Sequence, residues 1–201
     1  MKFKLPARAI NALFHPLLMP TLGLFILLHS GSYVSLLDPA VKKALLIIIA
    51  LGTLVFPLLM LPIMHFRKIL QEEEGGGPSK LARFMVLVLF VMTWIYFRRL
   101  PLSPVIHAWV LAVNFSLILY VLLSIRWQMN ARLMGLGTMT GMVLALAFRY
   151  GVLAQGILLC LFAASGLSGS ATLVLARARP SGLIPAYFLG LATALLVMLL
   201  Y

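Results

Sequence analysis

Long apolar runs separated by short polar stretches dominate this chain. Runs of about 17–25 mostly apolar residues recur, and each is long enough to cross a hydrocarbon core of about 30 Å as a helix. The pattern predicts about seven spanning helices, with six as the alternative, near residues 17–36, 41–65, 81–97, 105–125, 133–148, 152–175 and 183–201. No stretch is left over that would bury a soluble core. We therefore predict an all-α fold, a polytopic transmembrane bundle that forms a single domain over residues 1–201.

Prolines, glycines and other small residues refine this picture. Pro57 and Pro62 predict a kinked second helix, because each removes a backbone donor. Glycines follow the polar joint 127–132 and predict a tightly packed start of the fifth helix. The sixth helix is rich in alanine, serine and glycine, which lets helices approach closely in lipid, so we expect it at the centre of the bundle. Asn114 and Gln155 are expected to hydrogen-bond between helices.

Composition and charge support a membrane location. Hydrophobic residues make up 63% of the chain and charged residues only 10%, far below the quarter usual in soluble domains. The net charge of +12 comes from basic residues in short loops, where they set topology and face anionic headgroups. No basic stripe alternates with aromatic residues, so we exclude nucleic acid as a partner.

Metal and redox chemistry find little support in the sequence. The single cysteine, Cys160, lies within an apolar run and excludes an internal disulfide or a paired-cysteine site. Glu72, Glu73 and Glu74 precede three glycines, and a solvated acidic loop explains them better than a metal cage. We expect neither a metal nor a cofactor.

Two motifs carry a resemblance to a known family. Residues 15–21 read HPLLMPT, and residues 127–137 read WQMNARLMGLG. Together with the order of the helices, they resemble a divergent bacterial branch of the type 2 phosphatidic acid phosphatase superfamily. The resemblance implies a multi-pass protein of the bacterial inner membrane that acts on phosphorylated lipids through catalytic histidines.

The chain departs from that family where its chemistry resides. Asn130 stands at the family's serine position and Arg132 at its histidine position. The last family motif falls on Ala171, Thr172 and Ala178, in place of serine, arginine and histidine. No histidine follows His107, and no acidic residue follows Glu74. The resemblance therefore implies a catalytically degenerate member, and we assign no catalytic residue.

Basic residues in the equivalent loops are the candidate phosphate or lipid-headgroup site. Guanidinium groups bind phosphate in a bidentate manner without performing chemistry. The candidates are Lys80, Arg83, Arg126, Arg132, Arg177 and Arg179. The alternative is that these residues are ordinary topology charges.

Three functional hypotheses follow from the sequence. The first is a non-catalytic protein that binds membrane lipids, anionic phospholipid headgroups in particular, or a partner protein. The second is a lipid phosphatase or phosphotransferase with altered residues, for which His15 and His65 are the available acid and base. The third is a small transporter or a subunit of a membrane complex. The sequence leaves protein partners and homo-oligomer formation open.

Overall fold

The computed structural model describes residues 14–55, 80–124, 126–127, 129–175 and 180–201. Every regular element in these ranges is helical, which confirms the all-α prediction for this part of the chain. The elements are α1 (Met19–His29), a 3-10 turn (Tyr33–Leu36), α2 (Pro39–Ala50) with a π-helical turn (Leu51–Val55), α3 (Lys80–Arg98), α4 (Pro104–Leu123), α5 (Ala131–Tyr150), α6 (Gln155–Val174) and α7 (Pro180–Leu200).

Four of the described helices are long and apolar enough to cross a membrane. They cover residues 104–123, 131–150, 155–174 and 182–200, and shorter apolar helices cover 19–29 and 84–98. Large apolar side chains point outward along them: Phe148 of the second and Leu200 of the fourth are 73% and 85% exposed. A surface of this kind suits a lipid environment, since water would oppose so much exposed apolar area. The structure is thus that of a helical membrane protein.

The first helix is shorter than the pattern predicts. It ends at His29, because Gly31 adopts a positive φ of 77° that a helix does not accommodate. The Ser30 hydroxyl donates to the carbonyl oxygen of Leu27 at 2.9 Å and so satisfies a group at the helix end. The remaining residues up to Leu36 form a separate 3-10 turn.

The second helix begins at a side-chain cap and changes its geometry near its end. The Asp38 carboxylate accepts a hydrogen bond of 2.7 Å from the amide of Ala40, as expected of an N-cap residue. After Ala50 the chain continues as the π-helical turn. Pro57 and Pro62, which predict the kink, lie outside the described residues.

The α5 helix forms the centre of the described bundle and packs backbone to backbone against α7. A Cβ atom on Gly137 would overlap the carbonyl oxygen of Tyr187, and one on Gly141 would overlap that of Leu191. From the other side, a Cβ on Gly190 would overlap the α5 backbone. The glycines therefore permit the close approach of helices that dispersion forces favour in lipid. The prediction of a tightly packed start of this helix is confirmed.

The prediction that the sixth helix is central is wrong for the described part of the chain. Within the spanning segments, 67% of α5 is buried, against 22% of α6. A Cβ atom added to Gly156 or Gly166 would meet no heavy atom of the described residues within 4 Å, and Ala163 and Ser170 are exposed. Small residues permit close packing but do not specify which helix packs against them. The number of small residues in α6 therefore did not identify the central helix of the bundle.

Candidate functional site

The motif at residues 15–21 forms the entry to α1 and packs against the start of α5. A Cβ on Gly135 would lie 2.9 Å from Met19 Cγ, so only glycine lets the methionine pack there. The indole Nε1 of Trp109 donates to the carbonyl oxygen of Pro20 at 3.3 Å, and the Trp109 ring occupies the space beside Gly23. These contacts fix the start of α1 against α4 and α5.

The second motif places Arg132 in the first turn of α5. Asn130 is the N-cap: its side-chain oxygen accepts hydrogen bonds from the amides of Arg132 at 3.0 Å and Leu133 at 3.3 Å. Asn130 thus has a structural role at the position where the resembling family has serine. Two of the amides at the start of α5 therefore donate to Asn130 and are not available to an anion. What remains for an anion is the positive end of the helix dipole.

His15 and Arg132 lie close enough to influence each other electrostatically. Burial by the surrounding protein, followed by the positive charge of Arg132, lowers the pKa of His15 from its usual 6.5. The imidazole Nδ1 accepts a hydrogen bond of 3.4 Å from the amide of Leu17, and part of the ring remains exposed. At neutral pH the ring is therefore uncharged, which avoids repulsion between two cations.

Arg132 differs from an ordinary loop arginine in its burial. Its side chain is partly buried and the Nε atom is inaccessible to solvent. A guanidinium in such a position interacts with anions more strongly than one in water, because the local dielectric constant is lower. Arg126, six residues earlier, is exposed.

The other members of the predicted basic cluster are only partly described. Lys80 opens α3, with Arg83 one turn later, but their side-chain positions lie outside the described part. Arg177 and Arg179 lie outside the described residues altogether, as does His65. The structure therefore brings His15 and Arg132 together and leaves the convergence of the other five loop cations as a prediction.

A buried seam of hydroxyl groups between α4, α5 and α7 escaped the sequence analysis. Thr138 donates to the Ser116 hydroxyl at 3.1 Å, and the Tyr187 hydroxyl donates to that of Thr140 at 3.1 Å. Such bonds strengthen helix association in lipid, by about 0.6 kcal/mol on average. In the sequence, the two threonines between Gly137 and Gly141 could have indicated these hydrogen bonds, because they lie in the segment that the glycines predict to be closely packed.

Asn114 and Gln155 form none of the interhelical hydrogen bonds expected of them with the residues that the structure describes. The Asn114 amide nitrogen donates to the carbonyl oxygen of Val110 in its own helix, at 2.9 Å, and Gln155 is exposed at the start of α6.

Within the described ranges, no group of three or more histidine, cysteine or acidic side chains lies together in a way that would hold a metal ion.

Comparison with known proteins adds no assignment to this geometry. No family model, no curated protein and no solved structure matches the chain.

Proposed function

We propose that this protein is a non-catalytic membrane protein that binds the phosphate of anionic lipid headgroups at the end of the bundle where α1 and α5 begin. The observation that carries the proposal is the proximity of His15 and Arg132. The two motifs on which the resemblance to the phosphatase superfamily rests are far apart in sequence, yet they meet at this place, with Met19 against Gly135.

The chemistry of the site favours binding. Arg132 supplies a permanent, partly buried positive charge, and the beginning of a 20-residue helix adds a partial positive charge of about half an elementary charge. Burial and, to a smaller extent, the charge of Arg132 lower the pKa of His15. An anion would offset the effect of Arg132 and so favour protonation of His15, which would then supply a second positive charge.

An enzymatic function is the second candidate, and one observation favours it. His15 is uncharged at neutral pH beside a guanidinium group, and an uncharged imidazole is the form that acts as nucleophile or base. Against it, no acidic side chain follows Glu74 to orient that histidine. We therefore expect the purified protein not to hydrolyse phosphatidic acid or a pyrophosphate lipid. Robust vanadate-sensitive hydrolysis that His15→Gln abolishes would establish the enzyme instead.

We further propose that the helices cross the membrane seven times, with the start of α5 on the cytoplasmic side of a bacterial inner membrane. In that topology eleven basic residues lie on the cytoplasmic side and five on the other, as the positive-inside rule requires. The cytoplasmic set is Lys2, Lys4, Arg8, Arg67, Lys68, Lys80, Arg83, Arg126, Arg132, Arg177 and Arg179; the opposite set is Lys42, Lys43, Arg98, Arg99 and Arg149.

Lipid binding by variants tests the proposed site. Native mass spectrometry would compare retention of phosphatidic acid and of phosphatidylcholine by the wild-type protein, Arg132→Ala, Arg132→Lys and Arg99→Ala. We expect Arg132→Ala to weaken phosphatidic acid binding by more than about fivefold, the effect of losing one diffuse surface charge worth about 1 kcal/mol. Arg132→Lys should retain part of the binding, which separates a loss of charge from misfolding.

Arg99 is the matched control, because it is exposed in the turn between α3 and α4 and belongs to the opposite set of charges. Equal and small losses from Arg132→Ala and Arg99→Ala would show that both act only as topology charges.

A further inference from the structure

The entry to α1 holds the imidazole ring of His15 by one of its two nitrogen atoms. The Leu17 amide donates a hydrogen bond of 3.4 Å to the Nδ1 atom of this ring. Pro16 has no N–H group, so Leu17 supplies the first amide donor after the histidine. The carbonyl oxygen of His15 accepts from the next amide, that of Leu18, at 2.9 Å. The ring and the backbone of His15 therefore both bind the turn that leads into α1.

The hydrogen bond from Leu17 determines which nitrogen of the neutral ring carries the proton. A backbone amide only donates, so the Nδ1 atom of His15 must present its lone pair. A neutral imidazole has one protonated and one unprotonated nitrogen. The hydrogen-bond partner therefore assigns the proton of neutral His15 to Nε2, the ring nitrogen farther from the backbone.

His29, at the other end of α1, has the opposite arrangement. Its Nδ1 atom lies 2.9 Å from the carbonyl oxygen of Phe25. A carbonyl oxygen only accepts, so Nδ1 of this ring carries the proton and donates. The two histidines differ because an amide faces the first ring and a carbonyl group faces the second. His29 is thus an internal reference for His15.

The two nitrogen atoms of His15 have different roles at the end of the bundle where α1 and α5 begin. The Leu17 amide engages the lone pair on Nδ1, and Nε2 offers an N–H group. A histidine needs a free lone pair to attack phosphorus or to remove a proton, and neutral His15 offers none in this tautomer. The guanidinium group of Arg132 also only donates. The two side chains together therefore suit a ligand whose oxygen atoms accept.

We propose that neutral His15 donates a hydrogen bond from Nε2 to the headgroup phosphate, and that the Leu17 amide is the positioning group that fixes this tautomer. The inference rests on the proposed function, because it concerns the same site. It requires phosphate oxygens that are ionised towards the site, since a protonated oxygen would place one donor against another. It also makes His15 unsuited to act as nucleophile or base, which separates lipid binding from hydrolysis.

NMR of the lipid-free protein with isotopically labelled histidine nitrogens tests the tautomer directly. The full chain in detergent is measured at a pH well above about 6.5, the usual pKa of histidine. We expect the His15 proton on Nε2 and the His29 proton on Nδ1. Loss of signals in His15→Gln and in His29→Gln assigns the two rings. A His15 proton on Nδ1, or one shared equally between the two nitrogens, would overturn the inference.

Two substitutions separate the donor from the turn that positions it. In His15→Asn the side-chain oxygen can accept from the Leu17 amide, as asparagine does in an Asx-turn, but the amide group is too short to replace Nε2. In His15→Gln the longer side chain brings an amide donor close to the position of Nε2. We expect His15→Asn to weaken phosphatidic acid retention in native mass spectrometry by about tenfold, the effect of losing a hydrogen bond to a charged group, and His15→Gln by less than about threefold.

The outcomes distinguish this inference from the proposed function. Equal retention of phosphatidic acid by His15→Asn and by the wild-type protein would overturn the donor role. A wild-type protein that retains the lipid but carries the His15 proton on Nδ1 would overturn only the inference. The expected tautomer without any lipid retention would overturn the proposed function. Because the NMR measurement uses the wild-type chain, it decides the tautomer even if a variant fails to fold.

Discussion

Gly137 and Tyr187 bring the backbones of α5 and α7 into direct contact, since a Cβ atom on Gly137 would overlap the carbonyl oxygen of Tyr187. One turn further, the Tyr187 hydroxyl donates to Thr140 at 3.1 Å. The same pair of helices is thus joined by shape and by a polar bond. Because α5 also carries Arg132 in its first turn, this contact holds the proposed headgroup site in place.

Replacing Gly137 by alanine should destabilise the protein. The added methyl group would overlap a backbone carbonyl, which cannot move aside as a side chain can. The two helices must therefore separate, and we expect the free energy of unfolding to fall by about 1–3 kcal/mol. Thermal unfolding in detergent would measure the loss. Gly166→Ala is the control, because no described atom lies within 4 Å of its added methyl group and alanine favours a helix over glycine. Equal effects of the two substitutions would contradict the packing role of Gly137.

Stability should depend on pH through His15. Its pKa is lowered in the folded protein, so the unfolded chain takes up a proton more readily and proton uptake favours unfolding. We expect the unfolding midpoint to be constant above the unfolded pKa of about 6.5 and to fall as the pH drops from there through the folded value. His15→Gln should flatten this dependence, and Arg132→Gln should reduce it. An unchanged slope in His15→Gln would rule out this origin.

Anionic lipid should shift the same titration. A phosphate bound beside His15 favours the protonated ring, so the pKa of His15 should rise when phosphatidic acid is bound. Titration of the ring by NMR, with and without the lipid, measures the shift. Phosphatidylcholine, which has no net charge, serves as the control lipid. Equal pKa values with both lipids would argue that the phosphate binds elsewhere.

Arg149 should stabilise the far end of the bundle. Its Nη1 atom donates to the carbonyl oxygen of Met198 at 3.0 Å, in the last turn of α7, where a cation also complements the helix dipole. We expect Arg149→Met to lower the free energy of unfolding by about 0.3–2 kcal/mol. Arg99→Met removes an exposed charge and should stay within about 0.5 kcal/mol. Chemical denaturation would compare the free energies of unfolding of the two variants. Similar small losses in both would contradict a stabilising role for Arg149.

The proposed topology places the C-terminal residue Tyr201 outside the cytoplasm, because seven crossings put the two ends of the bundle on opposite sides. A periplasm-active reporter fused after Tyr201 should therefore be active, and a cytoplasm-active one should not. A fusion in the loop near Arg126 should give the reverse pattern. Activity of the Tyr201 fusion only in the cytoplasm would require an even number of spans.

The sequence by itself determined the class of the protein and most of its helices. Hydropathy is a sum over neighbouring residues, so runs such as Pro104–Leu123 and Ala131–Tyr150 are visible without knowledge of the fold. The glycines after Arg132 also predicted close packing, because a missing side chain is a local property. Helix ends were harder to predict. The α1 helix ends because Gly31 adopts a positive φ, and a glycine in the sequence permits this conformation without requiring it.

Only the tertiary structure decided which helix lies at the centre and which polar groups meet. Small residues make both α5 and α6 suitable for close packing, and the choice of α5 depends on Gly190 of α7 lying opposite it. The proximity of His15 to Arg132, and the lack of a donor to the Asn114 oxygen among the described residues, depend on contacts between distant parts of the chain. Residue patterns encode what each helix can accept, whereas the arrangement that buries the most surface selects which of these contacts form.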